Sequence, residues 1–468
     1  MEFPSFDNTF YPGVYSEEDQ AVLDQRRAED AEVVARGAVN PADLVSGKVN
    51  ETNTPGIAPK YEVTRETMLA QAAKYDPDNP LYFDPDYARA HGYRDIIAYP
   101  SFAHNDDKVM KYMPEGWMGR AIPGSGLTHE IEILAPIYPG DTLYYVIDEQ
   151  SLTDITPPEG ARFYSFEMRN YSHVVNQRGE TVLRAFDRIR DGLAAREDPA
   201  TAPAVAMAPA WRLRPIPHYT NADYEKMKEY WRAEKRLGAE KRYWEDVAVG
   251  EVLIPTLDGP IVESPTAPRM DCGMGEGGWP TLRKECLDSE IYATMIEDEV
   301  YGIKRLPGTP SPAELQQERE RYWEEQLKDP EIAEFEDEKF EGIPDDGRVN
   351  LINFQGRDYA IRMLMNWAGD DAWLEKICWG ICPRPLPWDD VIAEYPEPVR
   401  YLDKVPFLKG RKVDVHAIVG DCCIARGIVV EKRECEGRRL VDVAWWLETF
   451  DEGIYTHGMA TIRLLSRG

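Results

Sequence analysis

Residues 75–88 read Tyr75-Asp76-Pro77-Asp78-Asn79-Pro80-Leu81-Tyr82-Phe83-Asp84-Pro85-Asp86-Tyr87-Ala88. Pro77, Pro80 and Pro85 lack an amide N–H and clash with a preceding turn, so no regular helix runs through this segment. Upstream, Thr64–Lys74 reads as a helix with Thr64 as its cap and Met68, Leu69 and Ala72 on one side. Downstream, Asp84–His91 reads as a short helix ended by Gly92. The segment between is a stiff loop presenting Asp76, Asp78, Asn79 and Tyr82. Those groups can hold a carbonyl oxygen and move protons.

Outward from the loop, Asp106–Tyr112 reads as a third helix, and strands follow. Leu127–Leu134 alternates, residues 135–141 carry turn chemistry, and Thr142–Ile147 is β-branched and aromatic. Arg162–Tyr171 and Thr181–Arg190 read as an antiparallel pair about Gln177-Arg178-Gly179. Helix followed by long strands predicts an α+β domain with helix packed on an antiparallel sheet. Asp191–Pro217 is an Ala/Pro-rich linker, and Asn221–Leu237 a charged amphipathic helix ended by Gly238. A second domain begins at Arg242. In it, Val419-Gly420-Asp421 before Cys422–Lys432 mirrors Pro139-Gly140-Asp141 before Thr142–Gln150, and Val441–Leu465 mirrors Phe166–Arg190, an architectural repeat. The expected organisation is a wrapping segment (1–60), a first domain (61–190), a linker and helix (191–240) and a second domain (241–468). The second domain carries an acidic helical insertion at about 282–348. There Ser311-Pro312-Ala313-Glu314 is a helix-start signature continued by Gln316–Lys328. The insertion reads as a lid, an oligomer contact or a solvated helix pair.

The chain has 468 residues, enough for two or three domains, and a formal charge of −30. That acidity argues against a nucleic-acid-binding face, which needs a basic surface. Local clusters such as Lys409, Arg411 and Lys412, or Arg438 and Arg439, remain available to phosphates. Seven cysteines lack paired two-residue spacings with nearby histidines, so they read as reduced thiols and no metal site is expected. The opening is acidic rather than cationic-then-apolar, and no apolar run reaches the length of a membrane span. The expectation is a soluble cytoplasmic protein with no membrane or nucleic-acid partner.

Six landmarks, in order, resemble a known family. They are Asp78–Ala88, Ile97-Ala98-Tyr99-Pro100-Ser101-Phe102, Pro136–Leu143, Arg242–Gly250, Asn366-Trp367-Ala368-Gly369-Asp370-Asp371, and Gly458-Met459-Ala460. Together they resemble the MaoC-like hydratase/dehydratase family of double hotdog type. More specifically they look like long acyl dehydratases with a fatty-acid-synthase-type dehydratase half in front. The resemblance covers most of residues 60–190 and 220–468. It implies a tandem hotdog fold, α+β, with antiparallel sheets each wrapped around a central helix. It also implies a lyase that reversibly hydrates an enoyl thioester or dehydrates a 3-hydroxyacyl thioester. Coenzyme A enters only as part of the substrate, with no separate cofactor. The implied assembly is a homo-oligomer, or a complex with a second hotdog subunit.

Such chemistry needs donors for the thioester oxygen, a group for the α-proton and a group for water. In the family an Asp and a His on Asp-x-Asn-Pro-x-His do this. Here Tyr82 stands for the His, and Pro77 for the Asp, flanked by Asp76 and Asp78. A tyrosine of pKa about 10 is a hydrogen-bond donor and a poor base, and an acid only if that pKa is lowered. No histidine lies between His218 and His416, so the second copy lacks the pair too.

The catalytic candidates are therefore Asp78, Asn79, Tyr82 and His104, and the substrate-binding candidates Asp76, Pro100, Ser101, Phe102 and His129. Each has a plainer alternative. Asp78 and Asn79 suit turn chemistry, Tyr82 can seal a sheet edge, and His104 either supplies the missing imidazole or is a buried structural histidine. His129 adjoins Glu130, but neighbours on a strand point to opposite faces. Asp370 and Asp371 read as capping and ion-pairing residues. Trp367, Trp373 and Trp379 recur every six residues, which is no helical face, and read as core and tunnel walls. Two other functions stay open: a non-catalytic or partner-dependent hotdog subunit that binds an acyl thioester, and an atypical lyase or hydrolase acting on a substrate without coenzyme A.

Overall fold

The computed structural model describes residues 16–104, 114, 121–156, 164–193, 217–260, 294–297, 304–305, 353–380, 386–387, 412–413, 421–450 and 453–467. The helices expected at 106–112 and 316–328, and most of the 282–348 insertion, lie outside them.

The loop's flanks form as the local chemistry dictates. Helix α1 (Glu17–Arg36) starts at Ser16, whose Oγ accepts from the Asp19 N–H at 3.1 Å, and α2 (Pro41–Val45) starts at Asn40. Strand β1 (Tyr61–Glu62) leads to α3 (Arg65–Tyr75), where the Thr67 N–H donates to Thr64 Oγ1 at 3.1 Å. These caps satisfy amides that the first helical turn leaves without partners. Helix α4 (Pro85–Ala90) is capped by Asp84, whose Oδ1 accepts from Asp86 and Tyr87.

The long strands are β2 (Ala121–Ile133), β3 (Thr142–Asp154), β4 (Tyr164–Asn176) and β5 (Thr181–Leu193). Gly179, at φ +77°, makes the β4–β5 turn in a conformation that other residues adopt at a cost. After α5 (Asn221–Ala233) come β6 (Thr256–Asp258) and a short pair, β7 (Ile296–Glu297) with β8 (Lys304–Arg305). Then follow α6 (Asn353–Ala368), β9 (Trp373–Gly380), a second short pair of β10 (Leu386–Pro387) with β11 (Lys412–Val413), β12 (Cys423–Cys435), β13 (Arg438–Glu448) and β14 (Ile454–Arg463).

One sheet joins both halves, in the order β1-β3-β4-β5-β2-β9-β14-β13-β12-β6. The seam is the antiparallel pair β2–β9, with His129 opposite Trp379 and Glu132 opposite Lys376. From that seam each side repeats the same sequence of neighbours: β5, β4, β3, β1 on one, and β14, β13, β12, β6 on the other. In the second half α6 packs on β12, β13, β14 and β6. Gly427 lets it approach closely, since a Cβ there would stand 3.0 Å from Met363 Cε. The architecture is the α+β double hotdog, with the core filling the space between sheet and helix.

His457 lies on β14 and is buried, and burial alone pushes its pKa from 6.5 down to about 3. Between those values the unfolded chain binds the proton more readily, so this contribution to stability is full above about pH 6.5 and is lost as the pH falls toward 3. The denaturant midpoint is expected to drop from pH 7 to pH 5. His457→Gln should flatten that limb, and an unchanged slope in the variant would contradict the assignment.

Candidate functional site

The loop after α3 does not form one polar wall. Asp76 leaves the helix at φ −147°, and the chain then runs through Asn79, at φ −94° and ψ 104°, into a single 3-10 turn over residues 80–82. Asp76 (1% exposed), Asn79 (2%) and Tyr82 (2%) are buried, whereas Asp78 lies at the surface. The interior carboxylate of this loop is therefore Asp76, and the expectation that Asp78 faces a substrate is corrected. Asn79 is held on three sides. Its Oδ1 accepts from the Leu81 N–H at 3.1 Å and from Arg236 Nη2 at 2.7 Å, and its Nδ2 donates to Asp76 Oδ2 at 3.3 Å. Arg236 also pairs with Asp370 after α6, which accepts from Tyr87 Oη at 2.5 Å. The loop is thus tied across the seam to the second half.

Tyr82 packs edge-on against Tyr99, with ring centroids 5.5 Å apart. Burial, then the nearby Asp76 carboxylate, raise its pKa well above 10. The phenol stays protonated, so it is a hydrogen-bond donor and the acid role that needs a lowered pKa is excluded. Tyr99 is shifted the same way, first by burial and then by Asp358. Both rings line a pocket that is partly open to solvent. Pro100, Ile133 of β2, Leu183 of β5 and Trp373 of β9 line it as well, so it sits where the halves meet. Its walls are mostly apolar, which suits an acyl chain more than a charged ligand.

Of the remaining candidates, Ser101 Oγ accepts from Gln71 Nε2 at 3.3 Å, and Phe102 is core. His104 and His129 do meet, through a residue that sequence reading passed over. Asp187 Oδ1 lies 2.6 Å from His129 Nδ1 and 3.3 Å from His104 Nε2, with all three buried. His104 Nδ1 lies 3.0 Å from Arg357 Nη1, and Arg357 donates through Nε to Asp358 Oδ1 at 2.8 Å. Trp379 stacks on the His129 ring at 5.2 Å and 19°, and meets His104 edge-on at 5.6 Å. Burial alone would push the Asp187 carboxyl up, but the charges and hydrogen bonds of His104 and His129 outweigh it and hold the pKa well below the usual carboxylate range. Glu130 is not the partner of His129; it pairs with Lys376 at 2.5 Å.

A signal for Asp187 was present in the sequence. Leu183, Ala185 and Ile189 mark the inward register of β5, and Asp187 is the charge inside it. Arg357 and Arg362 carried no such mark, because a helix with arginines reads as solvated until its neighbours are known. The three tryptophans part company. Trp373 lines the cavity, Trp367 stacks under Arg242 at 4.6 Å, and Trp379 backs the histidines. Arg438 and Arg439, considered for phosphates, are paired with Glu375 and Glu434.

Residues 57–185 match the model of a family described as the FAS1-like, dehydratase domain region. Among solved structures, the chain is similar to a MaoC-like dehydratase at 12% identity, over 88% of this chain and 98% of that one, with TM-score 0.43. It is similar to a MaoC domain dehydratase from Chloroflexus aurantiacus at 14% identity, over 88% and 95%, with TM-score 0.43. A double-hotdog protein of Mycobacterium tuberculosis aligns at 11% identity, over 87% and 94%, with TM-score 0.41. A search of curated proteins finds none that matches.

Proposed function

We propose that this chain, whose residues 57–185 carry a FAS1-like dehydratase domain region, is a hydro-lyase. It reversibly hydrates an enoyl thioester or dehydrates the 3-hydroxyacyl thioester, with coenzyme A as the thioester carrier. One observation carries this reading. The apolar cavity at the seam is walled on one side by residues 81–82 and 97–100, which belong to the dehydratase region itself. The acyl chain lies in the cavity, and the protonated Tyr82 hydroxyl donates to the thioester oxygen as negative charge builds there. A preorganised donor in a dry site favours the transition state over the ground state, which is how it raises kcat.

Purified protein is expected to change the enoyl absorbance of at least one member of a panel of enoyl- and 3-hydroxyacyl-CoA esters. Inactivity of the folded protein across the whole panel would overturn the reading. With an active ester in hand, Tyr82→Phe should lower kcat by about 10²-fold with little change in KM. An unchanged kcat would remove Tyr82 from the site without touching the reaction class.

A second reading, an acyl-thioester-binding subunit without turnover, is favoured by the Arg236 bridge. It commits the Asn79 oxygen and Asp370 to holding the halves together. Thioester binding without turnover, together with co-purification of a second hotdog chain, would select it.

A further inference from the structure

We propose that the Tyr93 hydroxyl, at the rim of the seam pocket, holds the first amide carbonyl of a pantetheine-type carrier arm, while Tyr82 holds the thioester oxygen deeper inside. The proposal rests on the thioester reading above and adds the residue that tells an amide-bearing carrier from a plain alkyl thioester.

The pocket wall has few polar side-chain groups to offer. Among its described residues they are the hydroxyls of Tyr82, Tyr93 and Tyr99 and the indole N–H of Trp373. Two of these are committed. Tyr99 Oη donates to the Asp358 carbonyl at 2.6 Å, and Trp373 Nε1 donates to the Ile133 carbonyl at 2.7 Å. The hydroxyls of Tyr82 and Tyr93 make no hydrogen bond among the described residues. They are therefore what this wall presents to the oxygens of a ligand. The two phenols are near enough for Tyr93 to act electrostatically on Tyr82.

They stand at different depths. Tyr82 is 2% exposed and shares the inner wall with the equally buried Leu183 and Leu374. Tyr93 is half-buried, as are Met365 and Trp373 of the second half. The apolar acyl chain gains by going inward, and the polar carrier leads out past the rim. With the thioester oxygen at Tyr82, the atoms that pass Tyr93 are those beyond the sulfur. In a pantetheine arm an ethylene spacer follows the sulfur, and then comes an amide whose carbonyl oxygen accepts hydrogen bonds.

The charge around Tyr93 selects that acceptor. Burial, then Tyr138 and Asp371, push its pKa up to about 12, so the hydroxyl stays protonated and donates. The charges acting on it are two acids, Asp371 and Asp370, and one base, Arg463. This balance repels a phosphate or a carboxylate and leaves a neutral carbonyl unaffected. The backbone is also fixed in place. Tyr93 follows the end of α4, and its N–H donates to the Ala88 carbonyl at 3.1 Å. Helix α4 is tied in turn to the residues before β9, through Tyr87 Oη on Asp370 at 2.5 Å and His91 Nδ1 at 3.1 Å from Asp371. Those residues run directly into Ala372, Trp373 and Leu374 of the pocket wall. The rim hydroxyl is thus held against the second half before a ligand arrives, and such preorganisation lowers the cost of binding.

The test uses two thioesters of the same hexenoyl group. The N-acetylcysteamine ester carries the amide, and the S-pentyl ester has the same length without it. Wild type, Tyr93→Phe and Tyr82→Phe are compared on both, with folding checked by thermal melts. Tyr93→Phe should shift the ratio of kcat/KM toward the pentyl ester by about fivefold to tenfold, the worth of one hydrogen bond, through KM rather than kcat. Tyr82→Phe should slow both esters alike and leave the ratio in place, which separates the two hydroxyls. A folded Tyr93→Phe with the wild-type ratio would overturn the proposal. So would one that loses kcat equally on both esters, since Tyr93 would then act on the acyl group. Neither result touches the function reading. Should Tyr93→Phe fail to fold, Tyr93→Leu removes the same hydroxyl and is judged by the same ratio. If wild type converts neither ester, dissociation constants of the saturated hexanoyl pair, measured by calorimetry, supply the ratio under the acyl-binding reading. A wild type that neither converts nor binds any of the four esters would overturn the function reading and this proposal together.

Discussion

Asp258→Ala is expected to destabilise the folded chain by about 3–5 kcal/mol, the cost of leaving one buried charge without its partner. Arg362 of α6 donates to both oxygens of Asp258 on β6, at 2.9 and 2.7 Å, with both side chains buried. Burial opposes the charge on Arg362, but Asp258 first and Glu234 second outweigh it and hold its pKa above the ordinary arginine value. Glu234 stands 3.6 Å from Arg362 Nε and cannot substitute for a bidentate partner. Arg362 Nη1 also reaches the Tyr75 carbonyl at 3.5 Å, at the end of α3. The pair therefore pins the second-half helix to the sheet on one side and to the start of the loop on the other. Denaturant unfolding measures the effect. The double variant Asp258→Ala with Arg362→Met should recover part of the loss, because it removes the stranded guanidinium while Glu234 keeps its hydrogen bond from Asn366. A single-variant change below about 1 kcal/mol would mean that water reaches this pair.

Gly458→Ala should cost about 3 kcal/mol or more, the upper range for forcing a methyl group into a packed core. A Cβ at Gly458 would lie 1.9 Å from the Cys378 carbonyl oxygen and 2.8 Å from Trp445 Cζ2. The first of these is backbone and cannot swing aside, so β14 would have to move away from β9. Gly458 stands opposite Trp379, and Trp379 stands opposite His129. A lowered melting temperature is expected, and a fully stable variant would contradict the packing at this crossing.

Strand placement was largely legible from period-two patterning and turn residues. The Gly179 turn, the Thr64 and Asp84 caps and the helix before the loop stand where local chemistry puts them, because each depends on neighbours within a few residues. The loop was legible as a break in the helix but not in its orientation. Which of Asp76 and Asp78 turns inward depends on the torsion around Pro77, and both are acids in an acidic stretch. Tyr82 stood where the family pattern has its histidine. That its phenol stays protonated follows from burial beside Asp76, which no spacing rule encodes.

The amino-acid sequence by itself determined the α+β class, the alternation of the strands and the missing imidazole on the loop, since these are properties of residue order. The tertiary structure alone decided that the two halves share one sheet, that His104 and His129 converge on Asp187, and that Arg236 and Arg362 bind the loop region to the second half. The physical reason is distance along the chain. Asp187 lies 58 residues from His129, and Arg357 lies 253 from His104. Only strand register and the packing of α6 bring such groups within hydrogen-bonding reach, and there burial turns ordinary side chains into strongly coupled ones.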